Sequence, residues 1–304
     1  MSELDFGAWQ QMRLDEIECA LEQALDLQAP ANLLEPMRYA ALGGGKRVRP
    51  LLTLAACEAV SGVPSDQQSP KLREAVLRAA AAVECVHVYS LIHDDLPCMD
   101  DDDMRRGRAT THVKYGEAQA LLAGDALQTL AFELLSGKAG MEANVQLQWC
   151  QTLARAAGAS GMCAGQALDI GSVGVALNQA QLEAMHAAKT GALITCALAL
   201  GAQAALANDA QLVTLDAFGK CIGLAFQVVD DVLDVTADSQ VLGKTAGKDA
   251  ANDKPTYVAL MGLQGAKQYA IDLHGKANQL LDDSGLQETR ALRALAERVV
   301  ARTY

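Results

Sequence analysis

The segment LIHDDLPCMDDDDMRRG, residues 91–107, places six aspartates within ten positions and follows them with Arg105 and Arg106. So many like charges repel, and at neutral pH some hold a proton unless water or cations neutralise them. Asp94 and Asp100 are spaced as DDxxxxD. An unbroken helix does not align i with i+6, but Pro97 interrupts it and lets the chain bulge, bringing both carboxylates to one side. Paired hard oxygens are what Mg²⁺ takes when it also binds phosphate oxygens. The competing reading is an acidic, solvated loop. An EF-hand fits poorly, because no glycine or terminal glutamate falls where that loop requires them.

A second cluster shifts the balance toward metal. QVVDDVLD sets Gln227, Asp230, Asp231 and Asp234 among Val228, Val229, Val232, Leu233 and Val235. Asp230 and Asp234 are four apart and face the same way on a helix. Acids among buried neighbours are tolerated when paired or metal-bound. The two aspartate-rich sites are therefore expected to face each other across a cavity with metal ions between them.

Cations complete the pattern. Lys46 and Arg49 follow Gly43-Gly44-Gly45 and are three apart, so they are expected to share a helix face near its start. GGGKR is not a P-loop, since Ala40 stands where the first glycine is needed and Arg47 where Ser or Thr is needed. Arg105 and Arg106, Lys189-Thr190, and Lys244, Lys248 and Lys254 supply further positive charge. Two groups of cations beside two metal sites suit substrates carrying one diphosphate per group. His87 lies seven residues before Asp94, two turns down one face, within reach of a polar ligand; His93 is read as a partner supporting the metal-binding carboxylates. His93, His112, His186 and His274 show no HxxxH or Cys/His spacing, which argues against zinc. No Ser-His-Asp order or GxSxG elbow points to acyl transfer.

The elements that must position these residues read as helices throughout. Apolar residues recur at helical spacing over 10–28, 31–42, 48–61, 71–95, 116–136, 142–160, 178–202, 209–236, 255–283 and 286–302, and no convincing alternating strand appears. Breaks fall at the triple glycine, at SGVPSDQQSP (61–70), at Pro97 and at GKTAGKDAANDKP (243–255). With 51% hydrophobic and 4% aromatic residues, no linker and no repeat, the 304-residue chain is expected to form one all-α bundle over 1–304. A net charge of −12 without a basic stripe excludes nucleic acid as the expected partner, but not small anions. Eight scattered cysteines without a CxxC pair suit reduced, mostly buried thiols. MSELDFGAWQ has no signal-peptide pattern, and Gly191–Ala207, the most membrane-like stretch, reads as a buried helix. The expectation is a soluble cytoplasmic protein without a membrane span.

GGGKRVRP, LIHDDLPCMDDDDMRRG, LLAGDALQTLAF, GQALDI, KTGALI, FQVVDDVLD and GKDAANDKPTY together resemble, in order, the motifs of the trans-isoprenyl diphosphate synthases, most closely the bacterial farnesyl diphosphate synthase type. The resemblance runs from about Met37 to Tyr257. It implies an all-helical isoprenoid synthase fold with a deep central cavity, a homodimer, and Mg²⁺ as cofactor, with three ions when substrate is bound. Carried over by position, it implies that Asp94, Asp100 and Asp230 bind the metal. Arg105, Lys189, Thr190, Gln227, Lys244 and Lys254 would hold the allylic diphosphate; Lys46, Arg49, His87 and Arg106 would hold isopentenyl diphosphate. Asp94, Asp100, Arg105, Lys189, Asp230 and Lys244 form the implied catalytic set, and Gln166 and Asp169 line the site in support. Asp102 and Asp103 receive no role.

The chemistry implied is ionisation of an allylic diphosphate, attack by the isopentenyl double bond and loss of a proton, with no protein nucleophile. Residues 243–254 form an expected lid. Each added isoprene unit needs about one helical turn of cavity, roughly 5.4 Å. Tyr89 and Ser90, five and four residues before Asp94, sit where the growing tail passes. A bulky Tyr89 beside a small Ser90 fits a C15 product better than C20. Geranylgeranyl diphosphate synthesis is the nearer alternative. A class I terpene cyclase lacks its NDxx[ST]xxxE helix here, and a non-catalytic synthase subunit is disfavoured because both aspartate motifs are kept.

Overall fold

The computed structural model describes residues 5–137, 140–236 and 255–301. Thirteen α-helices run through the described residues. They are α1 (Phe6–Ala24), α2 (Ala31–Ala41), α3 (Val48–Ser61), α4 (Pro70–Asp94), α5 (Thr111–Tyr115), α6 (Glu117–Ser136), α7 (Ala143–Ala157), α8 (Met162–Gly171), α9 (Gln179–His186), α10 (Ala192–Ala204), α11 (Asp209–Thr236), α12 (Tyr257–Asp282) and α13 (Arg290–Val300). A 3-10 turn, Ser65–Gln67, precedes α4, and a π-helical turn, Ala187–Gly191, joins α9 to α10. Two two-residue strands, β1 (Met104–Arg105) and β2 (Arg108–Ala109), pair antiparallel just after the aspartate run.

Local chemistry sets the helix ends. Ser69 accepts a hydrogen bond from Leu72 N, and Pro70 in the first turn of α4 has no N–H that would need an acceptor. Gly62, at φ 68°, ends α3. Asn178 and Gln181 form a reciprocal capping box on α9.

α4 is the central strut. It packs against α3, α6 and α10, and Ala75, Ala79, Val83, Val86 and Ile92 are among its buried residues. α10 crosses α3 so closely that a Cβ on Gly201 would collide with Thr53 O. α11 packs along α10 and α12, and its lower half joins a second apolar cluster with Leu182, Met185, Tyr257 and Ala270.

The sequence reading placed most helices correctly and missed some elements. α8 was not expected, because the glycines at 158, 161 and 165 dilute its apolar period. The stretch predicted as one helix over 178–202 is α9, the π-turn and α10. Three described helices, Pro70–Asp94, Gln179–Ala204 (counted through the π-turn) and Asp209–Thr236, are long and apolar enough to cross a membrane by length and composition. Their most apolar windows are 72%, 56% and 50% buried inside the fold. Packing against neighbouring helices covers that share of their apolar surface.

Candidate active site

The first aspartate segment hangs from the end of α4. The helix stops at Asp94, and Asp95 N still bonds Leu91 O. The chain then folds back on itself, so that Met99 N donates to Leu96 O at 2.8 Å and Asp100 N donates to Asp94 O at 2.8 Å. That last bond closes the i, i+6 gap and brings the backbones of Asp94 and Asp100 together. Burial pushes the Asp94 carboxyl up to about 6; Lys189 and Arg105 oppose this, and Asp100 and Asp95 add to it. Asp101 and Asp103 are exposed.

Asp95 does something the spacing did not show. It is buried, and it takes Arg105 as a forked partner, with Nε 2.8 and 3.0 Å from its two oxygens. Asp102 stands 3.8 Å from the same guanidinium. Arg105, expected to hold substrate, is thus anchored from behind while still lining the cavity described next.

That cavity, about 450 Å³, gathers Lys46, Arg49, His87, Arg105 and Arg106 with Asp230. The expected cations do converge, but not through a shared helix face. α3 begins at Val48, so Lys46 lies in the loop before it. Gly44 and Gly45 (φ 80° and 146°) and a left-handed Arg47 (φ 47°) turn that loop back over the cavity. Arg106, also left-handed, donates to Gly44 O and fills the space a Cβ on Gly45 would need. Burial holds the His87 imidazole well below its usual range, with Arg49, Arg106 and Arg105 adding to the effect. A neutral ring keeps one N–H donor to offer an anion.

Arg47, noted in the sequence only as a P-loop mismatch, is the residue that reading missed. Its buried guanidinium donates to Glu18 Oε1 (2.7 Å), Glu84 Oε1 (2.8 Å) and Ala41 O (2.7 Å). It ties α1, the end of α2 and α4 to the start of α3. Arg49 stays uncommitted at Nε, which is buried without a partner among the described residues.

A second cavity, about 400 Å³, shares Arg49, His87 and Leu91 with the first and is walled mainly by apolar atoms. Tyr89, Ser90, Asp94 and Met99 line it from the α4 side, and Met162, Cys163, Gln166, Ala167 and Ile170 from α8. Lys189 and Thr190 of the π-turn also line it. Lys189 Nζ donates to Asp169 Oδ2 at 2.6 Å, and Thr190 Oγ1 donates to Gln227 Oε1 at 2.9 Å. Gln166 and Asp169 therefore sit beside the expected cations, on a helix the sequence reading did not see. His93, expected to support the aspartate carboxylates, is instead held toward α6. Its Nε2 lies 3.0 Å from Leu121 O and 4.0 Å from Asp125, both on α6.

Of the second cluster, Asp230 is half-buried and lines the cationic cavity. Asp231 is buried and accepts from Tyr257 N at 2.8 Å, fixing α12 to α11. Asp234 is buried, with Oδ1 unpartnered among the described residues. Lys244, Lys248 and Lys254, and the expected lid over 243–254, lie outside the described residues. Among the described residues no three His, Cys, Asp or Glu side chains converge into a ready-made cage. Mg²⁺ takes one or two carboxylates and completes its shell with water and substrate phosphates, so a three-residue cage is not what it requires. The carboxyl of Asp94, held up to about 6 mainly by burial with Asp100 adding to it, is the kind of group a bound cation would relieve.

The arrangement is thus a cationic chamber beside a mainly apolar one, the two sharing Arg49, His87 and Leu91, with Asp230 lining the first and Asp94 the second. Comparison with known proteins places the chain in a family. The Polyprenyl synthetase family model matches residues 30–288. Farnesyl diphosphate synthase of Escherichia coli (strain K12) is 47% identical over 275 residues, covering 89% of this chain and 89% of its own. A chloroplastic geranylgeranyl pyrophosphate synthase of Capsicum annuum is 45% identical over 285 residues, covering 93% of this chain and 75% of its own. The crystal structure of a Helicobacter pylori geranyltransferase, complexed with magnesium and isoprenyl diphosphate, superposes with a TM-score of 0.83 at 36% identity, over 96% of this chain and 98% of that one. With its two cavities, its two aspartate clusters and these relatives, the chain belongs to the polyprenyl synthetase family.

Proposed function

We propose that this prenyltransferase condenses isopentenyl diphosphate with dimethylallyl or geranyl diphosphate and stops at farnesyl diphosphate, C15. The observation behind this reading is the pair of neighbouring cavities, one cationic and one mainly apolar, with Tyr89 lining the apolar one. Lys46, Arg49, His87 and Arg106 hold the isopentenyl diphosphate. Arg105, Lys189, Thr190 and Gln227, with Lys244 and Lys254 by resemblance, hold the allylic diphosphate.

Asp94, Asp100 and Asp230 would hold Mg²⁺, which when bound neutralises charge building on the departing diphosphate. The remaining work falls to the chain. Arg105 and Lys189, braced by Asp95 and Asp169, present fixed positive charge to the allylic C–O bond as its electron pair leaves with oxygen. The isopentenyl double bond then attacks the allylic cation, and the proton lost passes to the released diphosphate. Leu91, Met99 and Met162 help to keep water from the cation.

Product length rests on Tyr89, which is 5% exposed and presents a bulky ring to the cavity. Relatives named for C15 and for C20 products match at similar identity. C20 synthesis is accordingly the second reading, and the Tyr89 ring favours C15. Replacing it tests the point: Tyr89→Ala is expected to move the product mixture from C15 toward C20, and an unchanged mixture would remove Tyr89 as the stop.

A further inference from the structure

Arg105 and Arg106 sit on a hairpin of two-residue strands, with Met104 opposite Ala109 and Arg105 opposite Arg108. So short a ladder gives little rigidity of its own, since an isolated two-stranded pair is marginal in water. Arg105 has a separate brace in the buried fork from Asp95. Arg106 is exposed, and its guanidinium donates to a backbone oxygen, Gly44 O. The rest of the anchoring comes from α2. Tyr39, in the last turn of that helix, donates its hydroxyl to Ala109 O at 2.8 Å. The Arg108 guanidinium lies over the Tyr39 ring, 4.1 Å from its centroid, and Lys114 Nζ of α5 lies 3.9 Å from the same centroid. Tyr115 meets the ring edge to face at 5.4 Å. Arg108 also lies against the triple glycine, because a Cβ on Gly43 would meet its Nη1 at 2.6 Å. One side chain of α2 thus touches the second strand of the hairpin and the helix that follows it. Four residues after Tyr39 the chain enters the glycine loop that carries Lys46.

We infer that Tyr39 is a positioning residue, clamping the 104–109 hairpin to the end of α2 so that Arg106 and Lys46 are held toward one diphosphate. The inference rests on the prenyl-elongation reading above, in which both cations hold isopentenyl diphosphate. Loss of the clamp falls on Arg106, since Arg105 keeps its fork from Asp95. Isopentenyl diphosphate retains its diphosphate throughout the reaction. Its grip is therefore the same before and in the transition state, and weakening it raises KM without lowering kcat.

The test compares Tyr39→Phe, which removes the hydroxyl bond and keeps the ring, with Tyr39→Leu, which removes both. The phenylalanine variant carries the test alone should leucine disturb folding. Initial rates are measured with each substrate varied in turn. The KM for isopentenyl diphosphate is expected to rise about fivefold in Tyr39→Phe, as for one neutral hydrogen bond, and about twentyfold in Tyr39→Leu, where the cation–ring contacts go as well. The allylic KM and kcat should stay within about twofold of the parent in both. An isopentenyl KM unchanged in either variant, an equal rise in both KM values, or a lower kcat at unchanged KM would overturn the inference. Hydrogen exchange provides a readout without turnover. Exchange over residues 104–110 should quicken about fivefold in Tyr39→Phe while the middle of α4 keeps the parent rate. Equal acceleration in both segments, or in neither, contradicts the clamp. If the parent protein elongates neither primer, the prenyl-elongation reading falls, and the exchange comparison still decides whether Tyr39 holds the hairpin.

Discussion

His87 and Arg49 line both chambers, and their environments differ in a useful way. Burial and the surrounding guanidinium groups keep His87 neutral, so what it would offer the proposed diphosphate is a hydrogen bond and not a charge. His87→Ala is expected to raise the KM for isopentenyl diphosphate about tenfold, as for one lost bond to a charged group, and to leave the allylic KM within about twofold. Initial-rate kinetics with each substrate varied in turn would show the split; equal rises in both would contradict the assignment. His186 offers a stability test instead. Burial pushes its imidazole down to about 4, with Lys189 adding and Asp169 opposing. Above pH 6.5 neither the folded nor the unfolded chain holds the extra proton, so stability is intact. As the pH falls from about 6.5 to about 4 the unfolded chain takes up a proton the fold refuses, and roughly 3 kcal/mol is lost. Denaturant titrations at pH 7 and pH 4.5 should show a smaller acid loss in His186→Leu than in the parent. At this scale the DDxxxxD and DDxxD aspartates were readable because acids inside apolar helices need a reason. The Asp95–Arg105 fork was not, since a contact across a ten-residue loop leaves no mark in periodicity.

The helices turn these residues into a site, and the loop before α3 shows how. Arg47 is a buried clasp that reaches α1, α2 and α4 from a left-handed backbone position. Removing one partner of a buried ion pair typically costs about 3–5 kcal/mol. Arg47→Met should lower stability by an amount of that order, and among molecules still folded it should raise the KM for isopentenyl diphosphate more than the allylic KM. Chemical denaturation and initial rates on the same preparation separate the two effects; a stability loss with both KM values unchanged would make Arg47 structural only. α3, α4 and α11 were legible almost to the residue because a triple glycine, a Ser-Pro start and a long apolar run bound them. α8 was not, because its ten residues include Gly165 and Gly171 and follow a glycine-rich stretch. Its recognition needed the tertiary contact between Gly165 and the Lys189 backbone. The same is true of the π-turn that presents Lys189 and Thr190: a single extra residue in a helix does not interrupt the apolar pattern.

Across the whole molecule, α4 and α11 bring two carboxylate clusters more than a hundred residues apart in sequence to two neighbouring cavities that share Arg49, His87 and Leu91. A fold arranged in this way should be stabilised by its ligand and metal together. Mg²⁺ with inorganic diphosphate is expected to raise Tm by several degrees, since ligand at about one hundred times its Kd adds about 2.7 kcal/mol. Mg²⁺ alone, or diphosphate with EDTA, should add much less, and equal shifts under all three conditions would argue against carboxylates that act through the metal. The central claim is elongation that stops at C15, and the product mixture tests it most directly. Purified protein is incubated with Mg²⁺, radiolabelled isopentenyl diphosphate and either dimethylallyl or geranyl diphosphate, and the alcohols are separated after phosphatase treatment. A dominant C15 alcohol from both primers is the result predicted here. Dominant C20 would contradict the stop at Tyr89, and no elongation with either primer would contradict the synthase itself.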